Sequence, residues 1–460
     1  MSAQRSLHLN LLFNNAGNVS SAWRWPDSDP RAFIDSNYYV EAAQLCEKGT
    51  FDAIFFSDSL ALNDSPEFKP FQSLEPTVLL ATIAAHTERI GLIATVSSSY
   101  NDPFNIARRF ASLDHISGGR TGINIVTTAD TAAAHNFGQA DAYAHADRYA
   151  RGAEFIEVVQ KLWDSWEADA LVGDKAAGRL VDPAKLHEIN HRGEYFSVRG
   201  PLNVPRTPQG RPVVVQAGGS SDGREVAAKH AEIVFTAAHT LEDAAAYATD
   251  LRRRARAFGR AGDAIAILPG LVTVIGSTEA EARRRSDELW ELVPLQYGVN
   301  RLATVLGLAP SELSLDKPLP RNIAKPARGS HTAFEQTVRL AEEKNLTVRE
   351  LIRVLGGGAT MHRVITGTPD KVADSIEQWF LSGHVDGFNV VPDVVASGLE
   401  VFVGEVVPLL RKKGIFRHHY EGRTLREHYG LAQPASLYPA SAARQAANAA
   451  HEPPPLKAAA

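Results

Sequence analysis

Residues 213 to 237, VVVQAGGSSDGREVAAKHAEIVFTA, predict a strand, a tight turn, a helix and a second strand. The opening valine run is typical of a strand buried on both faces, as strands of parallel sheets are. Gly218 and Gly219 permit a tight turn, and Ser220 and Ser221 place hydroxyl groups where the helix begins. Because free N–H groups and the positive end of the helix dipole meet there, this turn is a candidate phosphate site. The alternative is a plain turn in which one serine caps the helix.

The same alternation of strand and helix extends in both directions from this stretch. Beyond the two strands of the stretch, apolar runs predict six more strands, at residues 7–13, 51–56, 89–95, 121–128, 267–276 and 385–392. Helical crossovers between buried strands imply parallel pairing. The predicted fold class is therefore α/β, a (β/α)8 TIM barrel with insertions.

Three of the early strands end in polar residues. Asp58 follows the second strand, Thr95 closes the third, and Asn124 lies in the fourth. In barrels of this kind the site lies at the carboxyl ends of the strands, so these side chains are candidates for it. The alternative for Asp58 is a helix cap.

A helix pattern after the fourth strand begins with HADRY, in which His145, Arg148 and Tyr149 share one face. An imidazole, a guanidinium and a phenol together suit a phosphate clamp. The alternative is a solvated first turn in which Asp147 favours the helix dipole.

Length and composition suggest one large domain, residues 1–431, followed by a disordered Ala/Pro-rich tail at 432–460. Two insertions interrupt the barrel pattern. The first, at about residues 168–212, is predicted to form a hairpin and a surface loop. The second, at about residues 277–360, is predicted to form a helical lid region between strands 7 and 8. The run Gly356–Gly358 fits a hinge of that lid or a simple helix stop.

The charge balance and the scarcity of cysteine exclude several classes of function. The 48 basic and 53 acidic residues are well mixed and give a net charge of −5, so we expect no nucleic-acid partner. Cys46 is the single cysteine and fits a helix core, which suggests a reducing, cytoplasmic setting. No apolar run is long enough to cross a membrane. His8 stands without a second histidine, so we expect no metal site.

Several longer pieces of the chain resemble the bacterial luciferase-like flavin monooxygenases, with the closer likeness to the subfamily of nitrilotriacetate and dibenzothiophene sulfone monooxygenases. The matching pieces span roughly residues 5 to 430 in the family's order. They are KGTFDAIFFSDSLAL, LEPTVLLATIAAHTERIGLIATVSSSY, ARRFASLDHISGGRTGINIVTT, HADRYARGAEFIEVVQKLWDSW, VRGPLNVPRTPQGRPVVVQAGGS and GTPDKVADSIEQWF.

The resemblance implies an enzyme that takes reduced FMN and O2 and inserts one oxygen atom into a small organic substrate, with C–N or C–S cleavage in some members. It implies a two-component system, in which a separate NAD(P)H:flavin reductase supplies FMNH2, and a homodimer or homotetramer. By position, the resemblance assigns the flavin site to Asp58, Thr95, Asn124, His145, Arg148, Tyr149, Ser220 and Ser221. It identifies no catalytic base, although His331 and His362 lie in or beside the lid region.

Two departures from the family pattern leave the substrate open. The loop AGNVSSAW lacks a histidine that many relatives carry, and Ile123 stands where relatives tend to have an aromatic residue. A deazaflavin-dependent oxidoreductase on the same barrel is the alternative enzyme, and a non-catalytic flavin-binding protein is the alternative outside catalysis.

Overall fold

The structure is a computed structural model that describes residues 5–62, 66–71, 74–326, 331–355 and 362–438, the side chains of residues 331 and 332 excepted. The expectations for Gly356–Gly358 and for the tail beyond residue 438 fall outside these ranges. Within them, no helix has the length and apolar character needed to span a bilayer.

Strands occur in two groups, a large parallel sheet and two small hairpins. The strands are β1 (His8–Phe13), β2 (Ala53–Phe56), β3 (Gly91–Ser97), β4 (Thr121–Val126), β5 (Leu171–Asp174), β6 (Arg179–Val181), β7 (His191–Arg192), β8 (Ser197–Val198), β9 (Val213–Gln216), β10 (Ile233–Thr236), β11 (Ala266–Ile275), β12 (Arg363–Gly367) and β13 (Gly387–Pro392).

Helices follow most strands of the large sheet, and side chains of Asp, Glu, Ser or Thr cap many of their first turns. The helices are α1 (Ser36–Lys48), α2 (Pro76–His86), α3 (Pro103–Ser117), α4 (Thr131–Asn136), α5 (His145–Trp163), α6 (Ser221–His230), α7 (Leu241–Ala257), α8 (Glu279–Glu291), α9 (Leu295–Leu306), α10 (His331–Glu343), α11 (Val348–Val354), α12 (Pro369–Leu381), α13 (Val395–Val401), α14 (Val407–Lys412) and α15 (Leu425–His428).

The large sheet closes into an eight-stranded barrel, as predicted. Its strands follow the order β1, β2, β3, β4, β9, β10, β11 and β13, and β13 pairs back to β1. All of these pairings are parallel. The carboxyl ends of the strands therefore share one rim, where the polar residues singled out from the sequence lie.

A ninth strand of the sheet, β12, was not predicted. β11 is ten residues long, and its first four residues pair with β10 while Leu271–Ile275 pair with β12. β12 thus extends the sheet above the end of β10 without belonging to the barrel. Its outer side chain Val364 is 42% exposed, so the segment lacks the continuous apolar run by which the other strands were recognised.

The barrel interior is filled with apolar side chains and closed at the amino ends of the strands by α15. Leu425 and Tyr429 pack into this interior, and the Tyr429 hydroxyl donates to Asn10 Oδ1 at 2.7 Å. Gly91 leaves the room for this plug, because a Cβ there would lie 2.3 Å from a methyl group of Leu425. With this end filled, the open rim at the carboxyl ends of the strands is where a ligand can enter.

His8 and Cys46 have structural surroundings. His8 Nδ1 lies 2.9 Å from Asp52 Oδ1 and its ring stacks on Tyr429. Asp52 is fully buried and also pairs with Arg417. Cys46 is buried in α1, and burial raises the pKa of its thiol, so it is a core residue rather than a nucleophile.

Both insertions are present. The first forms two hairpins, β5–β6 and β7–β8, where one was predicted. The second contains α8, α9, α10 and α11, of which α9 was not predicted. Helices α9, α10 and α11 bury a small apolar core of their own, including Leu302, Phe334 and Leu351. The second insertion is therefore held together by its own packing in addition to its contacts with the barrel.

Candidate functional site

The starts of α5 and α6 meet at the rim of the barrel. The Tyr149 hydroxyl of α5 lies 3.0 Å from Ser220 Oγ, and Ser220 Oγ also accepts a hydrogen bond from the Gly223 N–H at 3.1 Å. Ser220 is thus the cap of α6 and a partner of Tyr149 at the same time. Two groups that the sequence places more than 70 residues apart form one cluster, the Tyr149–Ser220 cluster.

The turn before α6 is held by hydrogen bonds to two of its carbonyl groups. Tyr247 donates to the Gly218 carbonyl at 2.9 Å, and Arg224 Nε donates to the Gly219 carbonyl at 3.1 Å. In a trans peptide the N–H points opposite to the C=O, so the Gly219 N–H points away from Tyr247 and the Ser220 N–H points away from the Arg224 guanidinium. Neither N–H has a hydrogen-bond partner among the residues that the structure describes. Free N–H donors at a helix start form an anion site.

Ser221 does not share this cluster, although the sequence pattern treats the two serines alike. Its Oγ accepts from Arg254 Nη2 at 3.2 Å, on the side of α7. The helical geometry of the first turn sends consecutive side chains in different directions, so only one of two adjacent hydroxyl groups can face Tyr149.

His145 and Arg148 border the cluster on its solvent side. The His145 ring lies 4.8 Å from the Tyr149 ring, and its Nε2 is 2.9 Å from Asp222 Oδ2. Arg148 donates to the Thr127 carbonyl at 2.9 Å and also lies 3.4 Å from His145 Nδ1. The structure therefore brings the predicted trio together, with Asp222 as an acidic neighbour that the sequence analysis did not consider.

A cavity of about 130 Å³ opens beside the Tyr149–Ser220 cluster. Its walls come from the end of β4, the first turns of α5 and the end of β9, and include Thr127, Tyr149, Gln216 and Gly218. Gln216 is buried and donates to the Ile125 carbonyl at 2.5 Å, which fixes the cavity wall between β4 and β9. The cluster and the strand ends thus border one space.

Thr95 and Asn124 form a buried pair at the ends of β3 and β4. Asn124 Nδ2 donates to Thr95 Oγ1 at 3.0 Å, and both residues are buried. Asn124 Oδ1 is buried without a hydrogen-bond partner in the described part of the chain. A buried amide oxygen left unpaired costs free energy, so this atom is suited to accept a hydrogen bond from a ligand.

Asp58 follows β2 and is partly buried. Burial, together with the nearby Glu75 carboxylate, raises the pKa of Asp58 to about 6. Glu75 itself caps α2 by accepting from the Val78 N–H at 2.8 Å, so Asp58 does not cap that helix. A carboxyl group that titrates near neutral pH at this rim is typical of a functional site.

The two histidines in or beside the lid region differ in what the structure shows of them. The His362 ring packs 5.1 Å from Phe235 at the end of β10, so it does reach the rim. The side chain of His331 lies outside the described residues. Trp23 donates to the Phe68 carbonyl at 2.9 Å and Trp25 lies under Arg285, contacts that fix loops.

Sequence reasoning missed Tyr247, Arg224 and Gln216. Tyr247 belongs to α7 and is buried, and burial raises the pKa of its hydroxyl to about 12. No local pattern marks a tyrosine that reaches across from the next helix. Gln216 carried a signal, because a polar residue ending a valine run resembles the strand ends that were selected.

Comparisons with known proteins agree with this geometry. The profile of the family described as luciferase-like monooxygenase matches residues 13–385. N-acetyl-S-(2-succino)cysteine monooxygenase of Bacillus subtilis (strain 168) is 42% identical, over 95% of this chain and 99% of that protein. Nitrilotriacetate monooxygenase component A of Aminobacter aminovorans is 44% identical, over 94% and 98%. The structure of EDTA monooxygenase from Chelativorans sp. BNC1 superimposes with a TM-score of 0.77 and 35% identity, over 94% and 99%.

Proposed function

This chain belongs to the luciferase-like monooxygenase family, and we propose that its Tyr149–Ser220 cluster binds the phosphate of reduced FMN. The chain is a flavin-dependent monooxygenase that uses reduced FMN and O2. The observation that supports the placement is the free pair of N–H groups beside two hydroxyl groups at the start of α6. These donors match the oxygens of a phosphate monoester.

The residues present fit the cofactor at both ends. On the phosphate side, the mutual hydrogen bond of Ser220 and Tyr149 leaves one of the two O–H groups free to donate, and Arg148 adds a positive charge at the rim. On the strand side, the unpaired Oδ1 of Asn124 can accept a hydrogen bond from an N–H of the flavin ring or an O–H of its ribityl chain. The cavity beside Thr127 and Gln216 opens next to the phosphate side, with Tyr149 in its wall.

Bound reduced FMN supplies the reaction with O2 from which one oxygen atom passes to the substrate. The chain's residues position the reacting groups and limit water at the rim. Asp58 is the group suited to hold a proton there, since burial and Glu75 bring its pKa to about 6. Thr95 orients the Asn124 amide through their hydrogen bond, which fixes the free oxygen in one direction.

The partner of this chain is a separate NAD(P)H:flavin reductase that supplies FMNH2. A relative that aligns over almost its full length is named as component A of its enzyme, which supports a two-component system here. The expected homodimer or homotetramer is part of the same proposal. The substrate is a small amine or thioether that carries carboxylate groups, because three similar proteins act on such compounds by name.

The test supplies the chain with photoreduced FMN under anaerobic conditions and titrates binding by fluorescence. Isotopically labelled O2 is then admitted together with nitrilotriacetate or N-acetyl-S-(2-succino)cysteine, and the products are examined by mass spectrometry. We expect micromolar binding of reduced FMN and transfer of one labelled oxygen atom or cleavage at nitrogen or sulfur. Absence of reduced FMN binding would refute the proposal.

A further inference from the structure

Two cationic side chains meet where the loop of residues 66–71 contacts α9. Lys69 Nζ of this loop lies 6.0 Å above the ring of Tyr297 in α9. Arg301 follows Tyr297 by four residues, so the two project from the same face of α9. Burial and the positive charge of Arg301 lower the pKa of Lys69, and that charge acts on Tyr297 too, so the two cations lie near one another.

Neither cation has a carboxylate partner among the residues that the structure describes. No Asp or Glu oxygen lies within ion-pair distance of Lys69 or Arg301 in the described ranges, and Arg301 Nε is buried without a hydrogen bond. Burial and the neighbouring Arg301 lower the pKa of Lys69 to about 8. Two adjacent cations that are taken out of water without an anion are unfavourable.

Some buried arginines of this chain pair with a carboxylate. Arg285 bonds to Asp393 at 2.5 Å, and Arg426 bonds to Glu232 at 2.6 Å. Others lack an acid: Arg120 donates to carbonyl oxygens instead, and Arg363 stacks on Trp379. At Arg301 a second cation, Lys69, lies nearby, and no acid in the described ranges offsets the two charges. The missing charge is what a bound anion would supply.

The pair lies on the side of the barrel where the proposed flavin site is. The loop of residues 66–71 is tied to the segment after β1 by two hydrogen bonds, from Trp23 to the Phe68 carbonyl and from Asn15 to the Pro70 carbonyl at 3.3 Å. Helix α9 belongs to the insertion that leaves the carboxyl end of β11. Both elements are therefore above the open rim.

We propose that Lys69 and Arg301 form an anion subsite that binds a carboxylate of the organic substrate. This inference rests on the proposed monooxygenase function and makes its substrate class specific, an amine or thioether with more than one carboxylate. Arg301 offers paired N–H donors that match a carboxylate, and Lys69 adds a point charge. The Tyr297 ring lies beneath the Lys69 ammonium group.

The test measures binding by calorimetry to the protein saturated with oxidised FMN. The probes are N-acetyl-S-(2-succino)cysteine, nitrilotriacetate and the fully methyl-esterified form of the first compound. Lys69→Met and Arg301→Met keep side-chain length and remove the charge. We expect each to weaken binding of the acids by about tenfold or more and to leave the ester unchanged, because a hydrogen bond to a charged group is lost.

Matched variants separate a loss of charge from damage to the fold. Lys69→Arg and Arg301→Lys should retain most of the affinity for the acids. Lys325→Met removes a lysine of the same insertion that already pairs with Glu335 at 2.7 Å, and it should bind like the wild type. Unchanged acid binding in both charge-removing variants, or an equal loss of acid and ester, would overturn the anion subsite.

The outcome for flavin is read independently in the same samples. A wild-type protein that binds FMN but neither acid contradicts the anion subsite and leaves the flavin assignment standing. A wild-type protein that binds the acids but no FMN, oxidised or reduced, contradicts the flavin assignment. The acid binding of the charge-removing variants then tests the anion subsite independently of flavin.

Discussion

Replacement of each of the two adjacent serines by alanine tests the proposed phosphate site most directly. Ser220 Oγ meets the Tyr149 hydroxyl and the Gly223 N–H, whereas Ser221 Oγ meets Arg254 on the opposite side of the helix start. The two substitutions remove the same atom from neighbouring positions of one turn. Their effects on flavin binding should therefore differ only through the direction in which each hydroxyl points.

The expected magnitudes follow from these contacts. Loss of the cap in Ser220→Ala costs about 1 kcal/mol of unfolding free energy. Loss of a hydrogen bond to a charged phosphate costs roughly 1.5–3 kcal/mol of binding free energy. The dissociation constant for FMN should therefore rise roughly ten- to a hundredfold. Ser221→Ala loses one exposed contact with Arg254, so both quantities should change by no more than about 0.5 kcal/mol.

The assay combines fluorescence titration of FMN with urea unfolding of the protein without flavin. The unfolding curves correct for the lost cap, because an effect on stability alone leaves the dissociation constant of the folded protein unchanged. If Ser220→Ala binds FMN as the wild type does, or if Ser221→Ala loses as much affinity, the phosphate is not held by the Tyr149–Ser220 cluster.

Further predictions concern the support of the turn, the rim carboxyl and the closed end of the barrel. Tyr247→Phe should weaken FMN binding about three- to tenfold, since it frees a carbonyl of the turn, measured by the same titration. The raised pKa of Asp58 contributes stability that is complete below pH 3.8 and is lost as pH rises through about 6. Urea unfolding should therefore find Asp58→Asn more stable than the wild type at pH 7.5, with the gain absent near pH 4. Arg417→Met leaves the Asp52 carboxylate buried and without its strongest partner, and should cost about 3–5 kcal/mol of unfolding free energy.

The barrel could be predicted because its signal is local and repeated. Each barrel strand is a short apolar run, and most of the following helices have a cap or an initial proline that the sequence shows directly. The candidate site followed from the rule that carboxyl ends of parallel strands share one rim. Thr95 and Asn124 lie on neighbouring strands and hydrogen-bond for that reason.

The choice between Ser220 and Ser221 could not be predicted, because both residues are equally good caps in the sequence. Which serine faces the cluster depends on where α5 and α7 lie, since Tyr149 hydrogen-bonds to Ser220 and Arg254 hydrogen-bonds to Ser221. Tyr247 was missed for the same reason. Its role exists only once α7 is packed against the turn.

The two elements that were not predicted, α9 and β12, differ in the strength of their sequence signal. Helix α9 had a signal, because Val299, Leu302, Ala303 and Leu306 have helical spacing and Gly307 ends the helix in the left-handed conformation. β12 had almost none, because a five-residue segment with alternate exposure is stabilised by the long β11 rather than by its own apolar content.

The proposed flavin site and the proposed anion subsite use residues from different parts of the sequence. The flavin side uses strand ends and helix starts, which any barrel of this family must have. Lys69 and Arg301 instead come from a loop and an insertion helix whose contact depends on the packing of Phe68 and Tyr297. A change at that contact can alter which anion is accepted while the Tyr149–Ser220 cluster is left intact. Substrate choice can therefore change without loss of the flavin chemistry, which is consistent with similar proteins that share this fold and act on different named compounds.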